Sequence, residues 1–358
     1  MEWISEPVRL GELEQPWQEL ALSDPYPFST HHWFTAWWEA FGAGSRLSTC
    51  ALWDADKLLA VLPLCERRGH IQALANDHSP VFRPLGRDPA SVQALVEGIV
   101  STARAPIVVP ALPAEDPGLQ SLIGSSRQTG RLTYVEQQHT SPVVDTAGDF
   151  SDYRGETKGR WGATLERFRR KAQREHDARF FLVESPADVD GELARFFDLE
   201  AAGWKGRAGT AITSSPATER FYRALAKSFH ERGELRLSGV EFDGRLAAFD
   251  FSILHRNRLY LIKTGYDESL GRLAPGLVLR LGIIERCFEL GIDAHELLGD
   301  ADAWKLKFST SERQHRLFRS YRRTPLQALR YGYRAGVRPL LKNTYRRLRP
   351  ESEGRRGS

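Results

Sequence analysis

LRLSGVEFDGRLAAFDFSILHRNRLYLIKTGYDESLGRLAPGLVLRLGIIERCFELGIDAHELLGDADAWKLKF, residues 235–308, is the stretch on which the fold turns. Its Asp243-Gly244 pair suits the two central positions of a type I′ hairpin turn, both of which need positive φ. Apolar runs at 235–242 and 246–254 flank the pair with strand-like composition. The polar turn Arg256-Asn257-Arg258 sends the chain back into a third run, 259–264. A loop containing Gly and Asp follows, and Pro275 then opens a strongly apolar helix that ends near Gly291. Strand, loop and helix N-terminus in that order make a ready anion site, because the first N–H groups of a helix have no partner within it. Gly276 would permit close approach of a pyrophosphate and Arg272 would add a charge-assisted contact. The competing reading is a core helix that simply starts at Pro275.

The chain around this stretch is 358 residues long, which predicts two domains. It is 41% hydrophobic and 27% charged, with nine Trp and 18 Phe, enough to build substantial cores and too apolar for global disorder. No apolar run reaches membrane-span length. The start, MEWISEPVRLGELEQ, lacks a basic segment followed by an apolar core, so no secretory leader is expected. Cys50, Cys65 and Cys287 are scattered without a CxxC pair, which predicts neither a disulfide framework nor a metal site. A cytoplasmic setting is the expectation.

Upstream, the order of elements is α/β. A strand at 3–10 and a short helix around 16–22 precede a helix at 31–41, whose Trp33, Trp37 and Phe41 fall on one face and predict an aromatic core stripe. The hairpin CALWDADKLLAVLPL (50–64) echoes GVEFDGRLAAFDFSI (239–253) and suggests that one architectural unit occurs twice. Further strands at 71–75, 81–85, 107–109 and 132–136 alternate with helices at 90–103 and from Asp116-Pro117. Ser141-Pro142 and the glycines at 148, 155, 159 and 162 read as a linker and docking loop. Thr164 then caps a basic helix, 164–176, carrying Arg167, Arg169, Arg170, Lys171 and Arg174, a solvated face or a surface for an anionic partner.

A strand at 180–184, a helix at 189–203 and a glycine-rich segment, EAAGWKGRAGTAI (200–212), lead to a helix capped by Ser215 and started by Pro216. The domains expected are 1–150 and 151–323, with a basic helix and tail at 324–358. That tail holds nine Lys/Arg and two acidic residues. It reads as a helix packed on the first half or as a surface for anionic membranes through 324–349, disordered at its end.

Chemistry is constrained by what is missing. There is no GxSxG elbow, no HExxH, no GxGxxG and no Walker loop. His31, His32, His70, His78 and His139 read as ordinary surface or core histidines. Asp250 and Lys263 are polar positions inside apolar strands, so they should pair or face a cleft. GDADAWKLKF (299–308) reads as an acidic loop before a strand-like run.

Taken in order, EAAGWKGRAGTAI, FDGRLAAFDFS (242–252), KTGYDESLGRLAPGLVL (263–279) and GDADAWKLKF resemble the tandem-GNAT acyltransferases, the CelD-like GNAT N-acetyltransferases, related in fold to the Fem peptidyltransferases. The resemblance covers about residues 20–320. It implies two tandem GNAT-like α/β (α+β) domains, each a mixed twisted sheet flanked by helices, the second carrying the active site. It implies acetyl-CoA or another acyl-CoA as donor, no metal, and acylation of an amine or hydroxyl on a small-molecule or saccharide acceptor, in polysaccharide or envelope metabolism.

On this mapping Arg272, Pro275, Gly276, Leu277 and Val278 occupy the pyrophosphate loop, with Pro275 and Leu277 standing where the superfamily has Gly and Gly or Ala. Glu200, Trp204, Lys205, Asp300 and Lys305 are placed at the substrate. Asp250 and Asp267 are the expected bases, Tyr266 the acid and Lys263 the support for oxyanion charge. Two alternatives remain: a Fem-like transferase taking aminoacyl-tRNA, and a non-catalytic GNAT scaffold at the inner membrane face.

Overall fold

The two apolar hairpins and the helix after Pro275 assemble as one side of a long mixed sheet. A computed structural model describes residues 1–156 and 160–337. Eleven strands form the main sheet in the spatial order Ala178–Glu184, Leu235–Phe242, Arg245–His255, Arg258–Tyr266, Ala294–Glu296, Leu132–Asp145, Ser311–Tyr321, Ile107–Pro113, His70–Ala73, Leu64–Arg67 and Arg46–Leu47. A four-stranded sheet of Glu2–Ile4, Thr49–Asp54, Lys57–Leu62 and Leu85–Gly86 lies apart from it. Asp243 and Gly244 both have positive φ, at 51° and 76°, as a type I′ turn demands. Arg256 and Asn257 adopt the same hand at 47° and 57°.

Both halves contain the same connection. His70–Ala73 runs through the helix Pro89–Thr102 to the parallel strand Ile107–Pro113, and Arg258–Tyr266 runs through the helix Pro275–Glu289 to the parallel strand Ala294–Glu296. Each helix starts with proline, which has no N–H to leave unsatisfied there. The halves share strands as well as architecture. Ser311–Tyr321, late in the chain, inserts between Leu132–Asp145 and Ile107–Pro113, pairing antiparallel with both. Leu132–Asp145 also pairs with Ala294–Glu296. One apolar core accordingly runs from Ile4 to Phe318 across both halves. The aromatic stripe forms its seam: Trp33 and Trp37 are fully buried, and Trp33 meets Phe221 of the second half edge-on at 5.3 Å.

Several expectations need correction. The supposed linker begins as strand, because Pro142 stands one residue outside the ladder to Ala294–Glu296 and its carbonyl accepts from Leu297 N–H. Past Asp145 come the helices Phe150–Glu156 and Arg160–Glu175, so Thr164 lies inside a helix and not at its start. The run after Asp302 is the short helix Ala303–Leu306, not strand. Residues 3–10 divide into Glu2–Ile4 and the helix Pro7–Gly11, since Pro7 favours a helix start. Of 81–85 only Leu85 is in a strand, paired through Leu85–Gly86. At the end, the helix Pro325–Gly332 exposes Leu326 and Leu329; the basic segment from 338 onward lies outside the described residues.

Two buried histidines make the fold acid-sensitive. His295 donates through Nδ1 to Leu259 O and accepts at Nε2 from Arg280, and burial with that guanidinium pushes it down to about 3. His315 stacks on His139 with ring centroids 4.4 Å apart, and burial pushes it down to about 3 as well. A histidine whose folded pKa lies below its unfolded value takes up protons on unfolding. Its contribution is therefore complete above about pH 6.5 and is lost as pH falls toward the folded pKa. Between pH 6.5 and 5 each should remove stability at a rate that rises toward about 1.4 kcal/mol per pH unit. Urea midpoints at the two pH values test this, and His315→Asn should flatten the dependence.

Candidate active site

The site begins at a register fault. Phe251 pairs with Lys263 and the next residue, Ser252, pairs with Leu261, so Ile262 is an extra residue, a β-bulge. The same strand pairs with Ala294–Glu296 only through Arg258, Leu259 and Tyr260. Beyond Tyr260 the two strands part. The opening is a cavity of about 720 Å³, lined from the second half by Lys205, Tyr222, Lys263, Thr264, Asp300 and Lys305. From the first half it is lined by His78, His139 and Gln138, and Arg319 joins them from the strand inserted into that half's sheet.

Lys263 projects into this cleft at the bulge. Its ammonium sits 5.2 Å from the ring centroid of Tyr222, and neither an ion pair nor a hydrogen bond ties it down among the described residues. Burial lowers its pKa, Lys205 adds to the lowering, and Glu200 opposes it. Lys205 is held by Glu200 Oε1 at 2.7 Å and by Thr264 O at 2.8 Å. The other oxygen of the buried Glu200 accepts from Ile212 N–H at 2.8 Å, which anchors the glycine-rich segment. Glu200→Ala should cost about 1–3 kcal/mol by stranding both donors, and Glu200→Gln less, since the amide still accepts from Ile212; chemical denaturation measures both. Lys305 bonds Leu298 O and Asp300 O, at 2.8 and 2.9 Å, and pairs with Asp302 at 3.3 Å.

Asp250 and Lys263 do not pair. Side chains alternate across a strand, and Lys263 faces Phe251 and Tyr222 while Asp250, opposite Thr264, faces the helix Pro275–Glu289. There Arg280 Nη2 meets Asp250 at 2.5 Å, with both side chains 1% exposed. Burial pushes the Asp250 carboxyl upward against the pull of Arg280. Arg280 also reaches His295 at 2.6 Å and lies 5.5 Å from the Trp304 ring centroid. This network backs the cleft from behind.

Tyr266, Asp267 and the loop to Pro275 lie past the splay. Asp267 caps the turn Glu268–Leu273 by accepting from Ser269 N–H at 2.8 Å and its hydroxyl at 2.6 Å. Tyr266 is exposed and lies over Gly276, where an added Cβ would come within 3.4 Å of its ring. Ala274 adopts the left-handed conformation at φ 47°, the role of a glycine in a tighter loop. Its N–H bonds Gly271 O, Leu277 N–H bonds Ala274 O, and Pro275 has none. Among the described residues Gly276 N–H is thus the amide of this first turn left without a backbone acceptor; Arg272, four residues earlier, is exposed. Val278 is fully buried and serves the core. Trp204 is half exposed, and its N–H bonds Glu268 at 3.1 Å; Glu268 also pairs with Arg207, tying the glycine-rich segment to the 267–273 loop.

Of the residues expected at the site, the cleft brings together Lys205, Lys263, Asp300 and Lys305. Tyr222, His78, His139, Gln138 and Arg319 join them without having been expected there. Tyr222 lies on the helix after Pro216, and the other four line the cleft from the first half's side. His78 stacks on Phe41 and meets Tyr222 Oη at 3.1 Å; burial and Lys263 push it down to about 4. Arg280 left a legible signal, an arginine inside an apolar helix sequence.

A bulged strand that splays from its parallel neighbour in front of a helix start, in a sheet built of two like halves, defines a GNAT-type fold. Residues 160–306 match the family model described as acetyltransferase (GNAT) domain. The structure is similar to the C-terminal domain of a putative lysylphosphatidylglycerol synthetase from Agrobacterium fabrum, at 14% identity and TM-score 0.59, covering 98% of this chain and 99% of that one. It is similar to FemX at 10% identity and TM-score 0.55, covering 88% and 97%. It also resembles a conserved protein of unknown function from Bacteroides thetaiotaomicron, at 11% identity and TM-score 0.52, covering 89% and 99%. No curated protein matches the sequence. Among the described residues no helix is long and apolar enough to cross a membrane.

Proposed function

We propose that the chain transfers an acyl group from acyl-CoA to an amine or hydroxyl of a small or saccharide acceptor, in the cleft opened by the Ile262 bulge. The observation that carries this is Lys263, a half-buried ammonium without an acceptor among the described residues, at the point where the strands part. The acceptor nucleophile attacks the thioester carbonyl and the new C–N or C–O bond forms. Negative charge gathers on the carbonyl oxygen, where Lys263 stabilises it. The C–S bond then breaks and the thiolate leaves. The nucleophile's proton passes to His78, an imidazole lining the cleft that is neutral at pH 7, and from it to the departing thiolate. In this reading Asp250 orders the back of the cleft through Arg280 and is not the base. The donor's diphosphate is held by Gly276 N–H and Arg272, a sparser cradle than a ring of amides.

That sparseness favours a second reading, in which the donor is an aminoacyl-tRNA. Similarity in fold to FemX and to the synthetase domain agrees with it, while the basic helix Arg160–Glu175 has part of its charge engaged, Arg169 pairing with Glu285 at 2.6 Å. Thermal unfolding with a panel of acyl-CoAs separates the two. Under the first reading, one of them at 100 times its Kd stabilises the protein by about 2.7 kcal/mol. No stabilisation by any acyl-CoA, together with steeply salt-dependent tRNA binding, would transfer the assignment to the second.

A further inference from the structure

Arg319 is the one cation of its strand that the fold leaves unused. Arg313 pairs with Glu296 and Arg316 bonds Gln137 and Gln314. Arg319, three residues further on, lines the cleft with Val108 and Leu317 and makes neither an ion pair nor a hydrogen bond among the described residues. Its Nε is buried without an acceptor. The residue is half-buried, and a guanidinium nitrogen withdrawn from water and left unpaired is costly unless a counter-ion or acceptor is supplied. The acidic residues lining the same cleft, Asp77 and Asp300, do not meet it. Gln138, which lines the same cleft, accepts from Ala111 N–H at 2.8 Å through Oε1, so its Nε2 donors remain uncommitted among the described residues.

We propose that Arg319 is the binding residue for an anionic group, a carboxylate or a phosphate, on the acceptor substrate, with Gln138 as an accessory donor. The planar guanidinium fork suits either oxyanion in bidentate contact. The proposal rests on the reading of the cleft as the acyl-transfer site and adds the acceptor's chemical class. It also divides the labour of the fold. The second half supplies the donor loop and Lys263, and the sheet of the first half, completed by the strand Ser311–Tyr321, supplies the acceptor's anchor.

The test is titration calorimetry of the full chain at low salt with inorganic phosphate and, separately, with succinate. One of the two should bind saturably, and which one does identifies the group. Arg319→Gln should weaken that binding at least about tenfold, the loss typical of a charge-assisted bond, and Arg319→Lys should restore part of it. Arg316→Gln, on the same strand but outside the cleft lining, should leave it unchanged. Binding of neither anion, or equal binding in Arg319→Gln that retains the wild-type melting curve, would overturn the proposal. Acetyl-CoA binding is measured on the same samples: its absence in the wild type counts against the acyl-CoA reading alone, and its retention in Arg319→Gln shows that the two sites are separate.

Discussion

Arg280→Ala should lower the free energy of unfolding by about 3–5 kcal/mol, the cost of removing one partner of a buried ion pair. Arg280 is 1% exposed and contacts three elements: Asp250 in the middle of the strand Arg245–His255, His295 at the centre of Ala294–Glu296, and Trp304 in the helix Ala303–Leu306. Its loss strands the Asp250 carboxylate in an apolar layer between sheet and helix. The double variant Arg280→Met, Asp250→Leu removes both charges and keeps much of the volume, so it should recover most of the stability. Urea unfolding of the single and double variants decides the matter. A single variant that loses under about 1 kcal/mol would show that the pair contributes nothing that water cannot replace. Because the network backs the acidic loop that presents Asp300 and Lys305, a shift in Trp304 fluorescence should accompany the loss.

Lys263→Met should behave in the opposite way, sparing the fold and removing turnover. The methionine keeps an unbranched apolar stem against Tyr222 and deletes an ammonium that the fold leaves without a counter-ion. Stability should hold or rise, since an unpaired charge costs free energy to bury. If Lys263 stabilises the oxyanion, kcat should fall by about 10²–10³, the usual effect of deleting one oxyanion donor. The apparent affinity for acetyl-CoA should change little, because the interaction matters chiefly in the transition state. Thiol release from acetyl-CoA with a panel of amine and sugar acceptors measures this. A variant with full turnover would remove Lys263 from the mechanism.

Local signals were legible in the sequence and long-range ones were not. Asp243-Gly244 and Pro275 announce their turn and helix start because the conformations they need are written in single residues. Lys263 and Asp250 stood out as charges in apolar strands, but their partners lie on other elements. Assigning them requires knowing which face each occupies, and the Ile262 bulge sits within this very strand. The segment from 139 to 162 was misread because Pro and Gly weaken strands locally, while here neighbours on both sides hold residues 132–145 in place. The insertion of Ser311–Tyr321 beside residues some 200 positions earlier leaves no local trace. For that reason Arg319, His78, His139 and Gln138 entered the cleft only when the halves were seen together. The loop before Pro275 shows the reverse: its departures from the glycine pattern were visible in the sequence, and the structure gives them physical meaning as amides already bonded or absent.

The central claim is that acyl transfer takes place where the strand bends at Ile262. A crystal structure grown with acetyl-CoA tests it most directly. The account predicts the thioester carbonyl within hydrogen-bond distance of Lys263 Nζ and the diphosphate against Gly276 N–H and Arg272. Acetyl-CoA bound elsewhere, or a cleft left empty at a concentration that saturates the protein in solution, would contradict it.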